Sequence, residues 1–154
     1  MDEGQGGERL AMARKIAREG GELGLRLCRN RAGLEITVKG VQDLVSNADR
    51  EIEALLRSRL AAEFPEDAFL GEESGRDSGT DSEAGIWVVD PIDGTDNFVR
   101  GMCGWCVSVA FVAGREVEIG VVFDPVSGDE FVAHRGHGAT LNGDPLAPPT
   151  VSNF

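Results

Sequence analysis

The chain has 154 residues, of which 41% are hydrophobic and 27% are charged, and its formal net charge at pH 7 is −12. This composition suits a globular fold with a sizeable core. Negative charge repels phosphate backbones, and the longest nearly apolar run, Trp105 to Ala113, is too short to span a bilayer, so we expect neither nucleic acid nor a membrane as a partner.

Two helices are predicted in the first part of the chain. From about Glu8 to Cys28, apolar and small residues recur at helical spacing on one face, although glycines make this helix imperfect. Alternation over Leu34–Val38 then predicts a strand that forms one arm of a hairpin. Ser46 followed by Asp49 can form a capping box, and an apolar stripe from Ile52 to Phe64 predicts a second amphipathic helix.

Beyond Pro65 the pattern changes to short apolar runs separated by clusters of Gly, Asp, Ser and Pro, which is typical of strands. The predicted strands are Ala68–Leu70, Ile86–Val89, Trp105–Val112, Val117–Phe123 and Glu130–Ala133. Gly75 to Gly85 is expected to be a mobile loop, and Asn142-Gly143 to be a hairpin turn. Two helices followed by strands predict an α+β fold with the helices packed on a mostly antiparallel sheet.

Acidic residues come directly after two of these strands, where a rigid scaffold can hold an active site. Glu72 follows the first strand, and Asp90 and Asp93 follow the second. Pro91 favours a turn that brings the two aspartates to one point, with the Ile92 carbonyl between them. Carboxylates gathered at one point repel one another unless a cation compensates them, and oxygen ligands select Mg²⁺, Mn²⁺ or Ca²⁺.

A phosphate site is expected beside this metal site. Gly94 comes next, and Thr95 begins a short predicted helix whose free N–H groups and dipole would attract a phosphate. An Asp-Pro-x-Asp-Gly stretch taken alone is more often a solvated turn than a metal site. It is the joint occurrence of the acidic segments that favours the metal site.

Three segments in this order carry a resemblance to a known family: KGVQDLVSNAD, FLGEESG and DPIDGTDNFVRG. They resemble the inositol monophosphatase family, whose relatives include fructose-1,6-bisphosphatases and bisphosphate nucleotidases. The resemblance implies the N-terminal half of that family's αβαβα sandwich. It also implies Mg²⁺ as cofactor, held by Glu72, Asp90, the Ile92 carbonyl and Asp93, with Asp49 near a further metal position.

The resemblance also implies a mechanism, in which a metal-activated water attacks the phosphorus of a small phosphate monoester of the inositol monophosphate type. Glu72, Asp93 and Thr95 would be the catalytic residues, and the Gly94 and Thr95 amides would hold the phosphate. Lys39 and Gly40 match a mobile loop of the family near the metals.

Members of the family continue through a second domain that supplies another metal-binding aspartate, and nothing here matches that segment. We therefore expect residues 1–154 to be a single metal-binding, phosphatase-like domain without the family's C-terminal domain, and its activity to be incomplete. Its expected partners are a small phosphorylated substrate and either a second copy or a complementing C-terminal half. The alternative is an inactive module that binds metal or phosphate, or that dimerises.

Other motifs give weaker hypotheses. Three cysteines and an N-terminus without a basic and then apolar signal favour reduced thiols in the cytoplasm. Cys103 and Cys106 have the spacing of a redox pair, but they lead into a strand without a thioredoxin-like pattern, so a core or strand-edge role is favoured. His134 and His137 lack the matched ligands of a zinc site and are expected on the surface or in a hairpin.

Overall fold

A computed structural model describes residues 3–30, 33–40, 43–76 and 85–147. Within these ranges the chain forms three helices, α1 (Glu3–Arg29), α2 (Asn47–Glu63) and α3 (Thr95–Arg100). All three were predicted. The predicted capping box at the start of α2 is confirmed, because the Ser46 N–H donates to Asp49 Oδ2 at 2.8 Å and the Ser46 hydroxyl accepts from the helix backbone. In the described residues, no helix combines the length and the apolar character needed to cross a membrane.

The strands of the described residues form two sheets. A hairpin joins β1 (Ile36–Gly40) to β2 (Asp43–Ser46), as predicted. The strands of the larger sheet are β3 (Ala68–Gly71), β4 (Gly75–Arg76), β5 (Ile86–Asp93), β6 (Cys106–Ala113), β7 (Glu116–Asp124), β8 (Asp129–His134), β9 (Gly138–Leu141) and β10 (Asp144–Pro145). Their order is β10-β9-β8-β7-β6-β5-β3-β4. Neighbours run antiparallel except β3 and β5, which run parallel. The predicted α+β class is confirmed.

The sheet differs from the prediction in its details. β5 does not end at Val89 but continues to Asp93. Gly75 and Arg76, placed in the expected mobile loop, form β4 instead, and the backbone of Gly85 accepts from the Ala68 N–H at 2.9 Å. Residues 77–84, the rest of that expected loop, lie outside the described residues. The predicted Asn142-Gly143 turn connects β9 to β10, and neither of these two was predicted as a strand.

The core lies between one face of the large sheet and the helices α1 and α2. Its largest fully buried side chains include Ile16 and Ile52 from the helices and Trp87 and Phe111 from the strands. An ion cluster closes one side of the core: the carboxylate of Glu130 on β8 is buried and accepts hydrogen bonds from two α1 arginines, Arg14 and Arg18. Burial raises the pKa of Glu130, but the hydrogen bonds and charges of the two arginines outweigh it and hold this pKa below its ordinary value.

Glycines on the inner face of α1 let the helix lie close against the sheet. A Cβ atom on Gly21 would come 2.8 Å from the Phe123 ring, and one on Gly24 would come 2.5 Å from the Trp105 ring. These glycines weaken helix propensity but allow α1 to pack on Phe123 of β7 and on Trp105, which precedes β6, because only hydrogen leaves room for the two aromatic rings.

The same substitution at two positions of α1 should change stability in opposite directions. Gly24→Ala would force the Trp105 ring to move, so we expect it to lower the free energy of unfolding by about 1–3 kcal/mol. Gly7→Ala has no atom within 4 Å of the new Cβ, and we expect it to raise that free energy by roughly 0.5–1 kcal/mol through helix propensity. Urea denaturation measures both, and a Gly24→Ala protein as stable as wild type would contradict the close packing.

Candidate functional site

The candidate site lies where β3 ends beside the middle of β5. These two strands are parallel, and their last paired residues are Gly71 and Val89. The residues that follow, Glu72 and Asp90, therefore come next to each other, and the Glu72 N–H donates to the Val89 carbonyl at 3.2 Å. Parallel pairing thus places two acidic residues together that are 18 positions apart in the sequence.

The side chains of Glu72 and Asp90 form a hydrogen bond with each other. Burial, then the hydrogen bond and charge of Glu72 and the charge of Asp93, together raise the pKa of Asp90 to about 7, against a lowering effect of the Ile92 N–H. That N–H donates to Asp90 Oδ1 at 3.1 Å. Two carboxyl groups in hydrogen-bond contact share a proton or need a cation, so the predicted convergence of Glu72 and Asp90 is present.

Asp93 reaches the same site through an irregularity in β5, not through the turn that was expected around Pro91. Asp90 pairs with Ser108 and Asp93 with Cys106, so three steps along β5 oppose two steps along β6. In a regular strand, residues three apart point to opposite faces, and the extra residue of a bulge corrects this. Pro91 has no N–H to donate to a ladder and is tolerated at such a bulge.

Thr95 connects the acidic segment of β5 to Asp49 on α2. The Thr95 hydroxyl is 3.1 Å from Asp49 Oδ1 and 2.9 Å from the Ile92 carbonyl oxygen. A hydroxyl has one proton, so it donates to one of these acceptors at a time and keeps its lone pairs for another partner. Asp49 is buried, and its Oδ2 accepts from the Ser46 N–H at 2.8 Å and the Ser46 hydroxyl at 2.6 Å. Asp49 thus fixes Thr95 to the start of α2.

Gly94 stands at the start of α3, where the prediction placed a phosphate site. Its backbone is in the left-handed region, with φ of 95°, and a Cβ there would come 2.7 Å from the Gly104 carbonyl oxygen. Only glycine fits this position without strain. The turn directs the chain from the acidic strand end into α3, but the role of the Gly94 and Thr95 amides toward phosphate stays a prediction.

The donor set suits an open site for a hard cation. Among residues 3–30, 33–40, 43–76 and 85–147, no group of three or more His, Cys, Asp and Glu side chains forms a ready-made metal cage. Mg²⁺ seldom uses such a cage, because it keeps several waters and binds through one or two carboxylates. The pair of carboxyl groups of Glu72 and Asp90 fits this mode of Mg²⁺ binding. Glu72, Asp90, Ile92, Asp93 and Asp49 as metal ligands remain predictions.

One acidic residue near the site was missed. Glu53 on α2 is 3% exposed, and its carboxylate accepts from the backbone N–H groups of Glu73 and Ser74, directly after Glu72. A signal was present in the sequence, since residues 49, 53, 56 and 60 follow the spacing of one helix face, and an acid inside an apolar stripe requires a buried partner.

The weaker motifs have structural roles. Cys28, Cys103 and Cys106 are free thiols. Burial, the charges of Asp93 and Asp90 and a hydrogen bond to Asp93 raise the pKa of Cys106 to about 12, which disfavours the thiolate that redox chemistry needs. His134 ends β8, and its ring stacks on that of His137 with centroids 4.4 Å apart. This agrees with the expected hairpin position.

Fold and site together define a class: α+β proteins with paired carboxylates just beyond the paired residues of two adjacent parallel strands. The inositol monophosphatase family matches residues 7–153, and the chain belongs to that family. It is 38% identical over 133 residues to the Nus factor SuhB of Vibrio cholerae, a match that covers 86% of this chain and 49% of that protein.

Solved structures of inositol monophosphatases superimpose on this chain. An IMPase of Thermotoga maritima superimposes with a TM-score of 0.83 and 30% identity, over 94% of this chain and 55% of that one. An IMPase/NADP phosphatase complexed with Mg²⁺ and phosphate gives a TM-score of 0.72 and 28% identity, over 84% of this chain and 49% of that one. The chain thus spans about half the length of the relatives it matches.

Removing one charge of the acidic pair should stabilise the metal-free protein. In Asp90→Asn a neutral amide replaces a carboxyl that faces Glu72, so we expect the free energy of unfolding in EDTA to rise by about 1 kcal/mol. The matched control is Asp96→Asn on α3, which removes an ion pair with Arg100; this pair is exposed and screened by water, so its loss should not stabilise the protein. Chemical denaturation that shows Asp90→Asn to be less stable than wild type would contradict the repulsion.

Proposed function

We propose that this chain provides the Mg²⁺-binding part of a phosphomonoesterase that hydrolyses a small phosphate monoester of the inositol monophosphate type. The observation that carries the proposal is the contact between the Glu72 and Asp90 carboxyl groups, just beyond the last residues that pair the parallel strands β3 and β5. Two like charges held together lower the stability of the fold. Such unfavourable pairs cluster at functional sites, where the chemistry requires them. Membership of the inositol monophosphatase family supports the reaction class.

The net negative charge of the chain supports the same proposal. A chain of net charge −12 repels a phosphate ester, so substrate binding needs a local reversal of the potential. Glu72, Asp90 and Asp93, with the Ile92 carbonyl, would hold the ion. Bound there, Mg²⁺ supplies the positive charge that attracts the phosphate and activates a water.

The remaining groups would position the reactants. Glu72 can accept a proton or a hydrogen bond from the attacking water, and the Thr95 hydroxyl, already fixed by Asp49, can orient it. The free N–H groups at the start of α3 would donate to the phosphate oxygens. Placement of this kind is the main contribution of a protein to phosphoryl transfer.

Location and partners belong to the proposal as well. We place the chain in the cytoplasm, with the substrate as its small-molecule partner and a second copy or a complementing C-terminal half as its protein partner. The absence of a nucleic-acid partner stays an expectation from charge. The name Nus factor describes relatives such as that of Vibrio cholerae and assigns no partner to this chain.

A second candidate is a non-catalytic module that binds metal or phosphate. The contact between Glu72 and Asp90 supports it equally, because a pair of carboxyl groups can hold an ion without turnover. The two candidates differ in phosphate release. Release from inositol monophosphate that depends on Mg²⁺ supports the enzyme, whereas Mg²⁺ binding without release by the chain, alone or with a C-terminal half of a relative, supports the module.

Asp93→Asn tests the metal site independently of turnover. Asp93 is exposed at the end of β5, so its loss should leave the fold intact while it removes one negative ligand. We expect Mg²⁺ affinity, measured by calorimetry, to fall by roughly tenfold or more, and phosphate release to fall with it. Asp96→Asn, which changes the same charge outside the site, should bind Mg²⁺ as wild type does. Equal affinity of Asp93→Asn and wild type would count against the ligand assignment.

A further inference from the structure

Glu53 is a buried carboxylate whose two oxygens both accept from the same turn. Glu53 Oε2 accepts from the Glu73 N–H at 2.8 Å, and Oε1 accepts from the Ser74 N–H at 2.9 Å. The side chain lies on the inner face of α2, and only 3% of its surface is exposed. Charge-assisted hydrogen bonds are stronger than neutral ones, and their loss would leave a buried charge without donors. Glu53 therefore fixes the backbone on the C-terminal side of Glu72.

The N-terminal side of Glu72 is shaped to the same carboxylate. A Cβ atom at Gly71 would come 2.4 Å from Glu53 Cδ, a distance that no real Cβ contact shows. Glycine at this position lets the carboxylate lie directly against the end of β3. The residues on both sides of Glu72 are thus in contact with Glu53, which leaves the Glu72 backbone little freedom to move away from Asp90.

The helix that carries Glu53 also carries Asp49, four residues earlier. Asp49 accepts from the Thr95 hydroxyl at 3.1 Å, at the start of α3. Four residues of an α-helix rise about 6 Å and form a rigid unit. One turn of α2 therefore sets the spacing between two parts of the site, the turn that bears Glu72 and the segment that bears Thr95.

We propose that Glu53 is a positioning residue that sets the Mg²⁺ affinity of the site by holding the Glu72 turn against Asp90. The inference rests on the proposed function and deepens it. It assigns Glu53 no direct contact with the ion or the substrate. Groups that orient metal ligands by hydrogen bonds commonly change metal affinity by a factor of about 10 to 100 when they are replaced.

A purely structural role for Glu53 makes a different prediction. If its hydrogen bonds served stability alone, their loss would lower the free energy of unfolding and leave the Mg²⁺ affinity of the folded protein unchanged. The experiment must therefore measure the backbone protection of the Glu73–Ser74 turn and the Mg²⁺ affinity separately, both in folded protein.

Glu53→Gln is the main test, with Glu51→Gln as its matched control. Glutamine keeps the size of the side chain but has one acceptor oxygen, so one of the two N–H groups loses its partner. Amide hydrogen exchange at Glu73 and Ser74 in metal-free protein should become faster. Mg²⁺ affinity by calorimetry should fall roughly tenfold to a hundredfold. Glu51 is exposed on the same helix, and its variant should match wild type in both measurements.

The outcomes separate the two hypotheses. Faster exchange at Glu73 and Ser74 with wild-type Mg²⁺ affinity would overturn the positioning role and leave the proposed function standing. A wild-type chain that binds no Mg²⁺ would overturn the proposed function, and the inference with it. Should Glu53→Gln fail to fold, Glu53→Asp keeps the charge but is one methylene shorter. It should also weaken Mg²⁺ binding, and an unchanged affinity would again overturn the role.

Discussion

The parallel pairing of β3 with β5 brings two carboxyl groups together, and the other features of the site follow from that contact. In an antiparallel pair the chain would leave the two strands in opposite directions, but β3 and β5 are parallel and their pairing ends at Gly71 and Val89. Glu72 and Asp90 then form a hydrogen bond, and burial with the neighbouring acids raises the pKa of Asp90 to about 7. When both carboxyl groups are charged, their repulsion opposes folding, so the surrounding structure has to hold them in place.

Helix α2 fixes much of this site through two carboxylates that are not part of the acidic pair. Its capping box uses Asp49, and the same carboxylate reaches the Thr95 hydroxyl. One turn later, Glu53 accepts from the backbone just after Glu72. The fold keeps α2 in register with the sheet through a core that contains Ile52 and Leu56. Apolar packing thus fixes the helix, and the helix fixes the polar site.

Local patterns in the sequence predicted the parts of this arrangement that depend on neighbours along the chain. The capping box at Ser46, the apolar stripe of α2 and the start of α3 at Thr95 are signals of this kind. Which strands run parallel depends on contacts between distant segments, so the pattern of short strands left antiparallel and mixed sheets open. The bulge in β5 and the buried position of Glu53 depend on packing in the same way, and neither was predicted.

Glu72 and Asp90 converge in the structure, and we propose Mg²⁺ as the ion that they bind. Diffraction from crystals of the chain grown with Mn²⁺, which takes hard oxygen ligands as Mg²⁺ does, tests this most directly. The account predicts an anomalous peak about 2.0–2.3 Å from carboxylate oxygens of Glu72, Asp90 and Asp93. A map without that peak, in which Glu72 and Asp90 keep their hydrogen bond in saturating Mn²⁺, would contradict it.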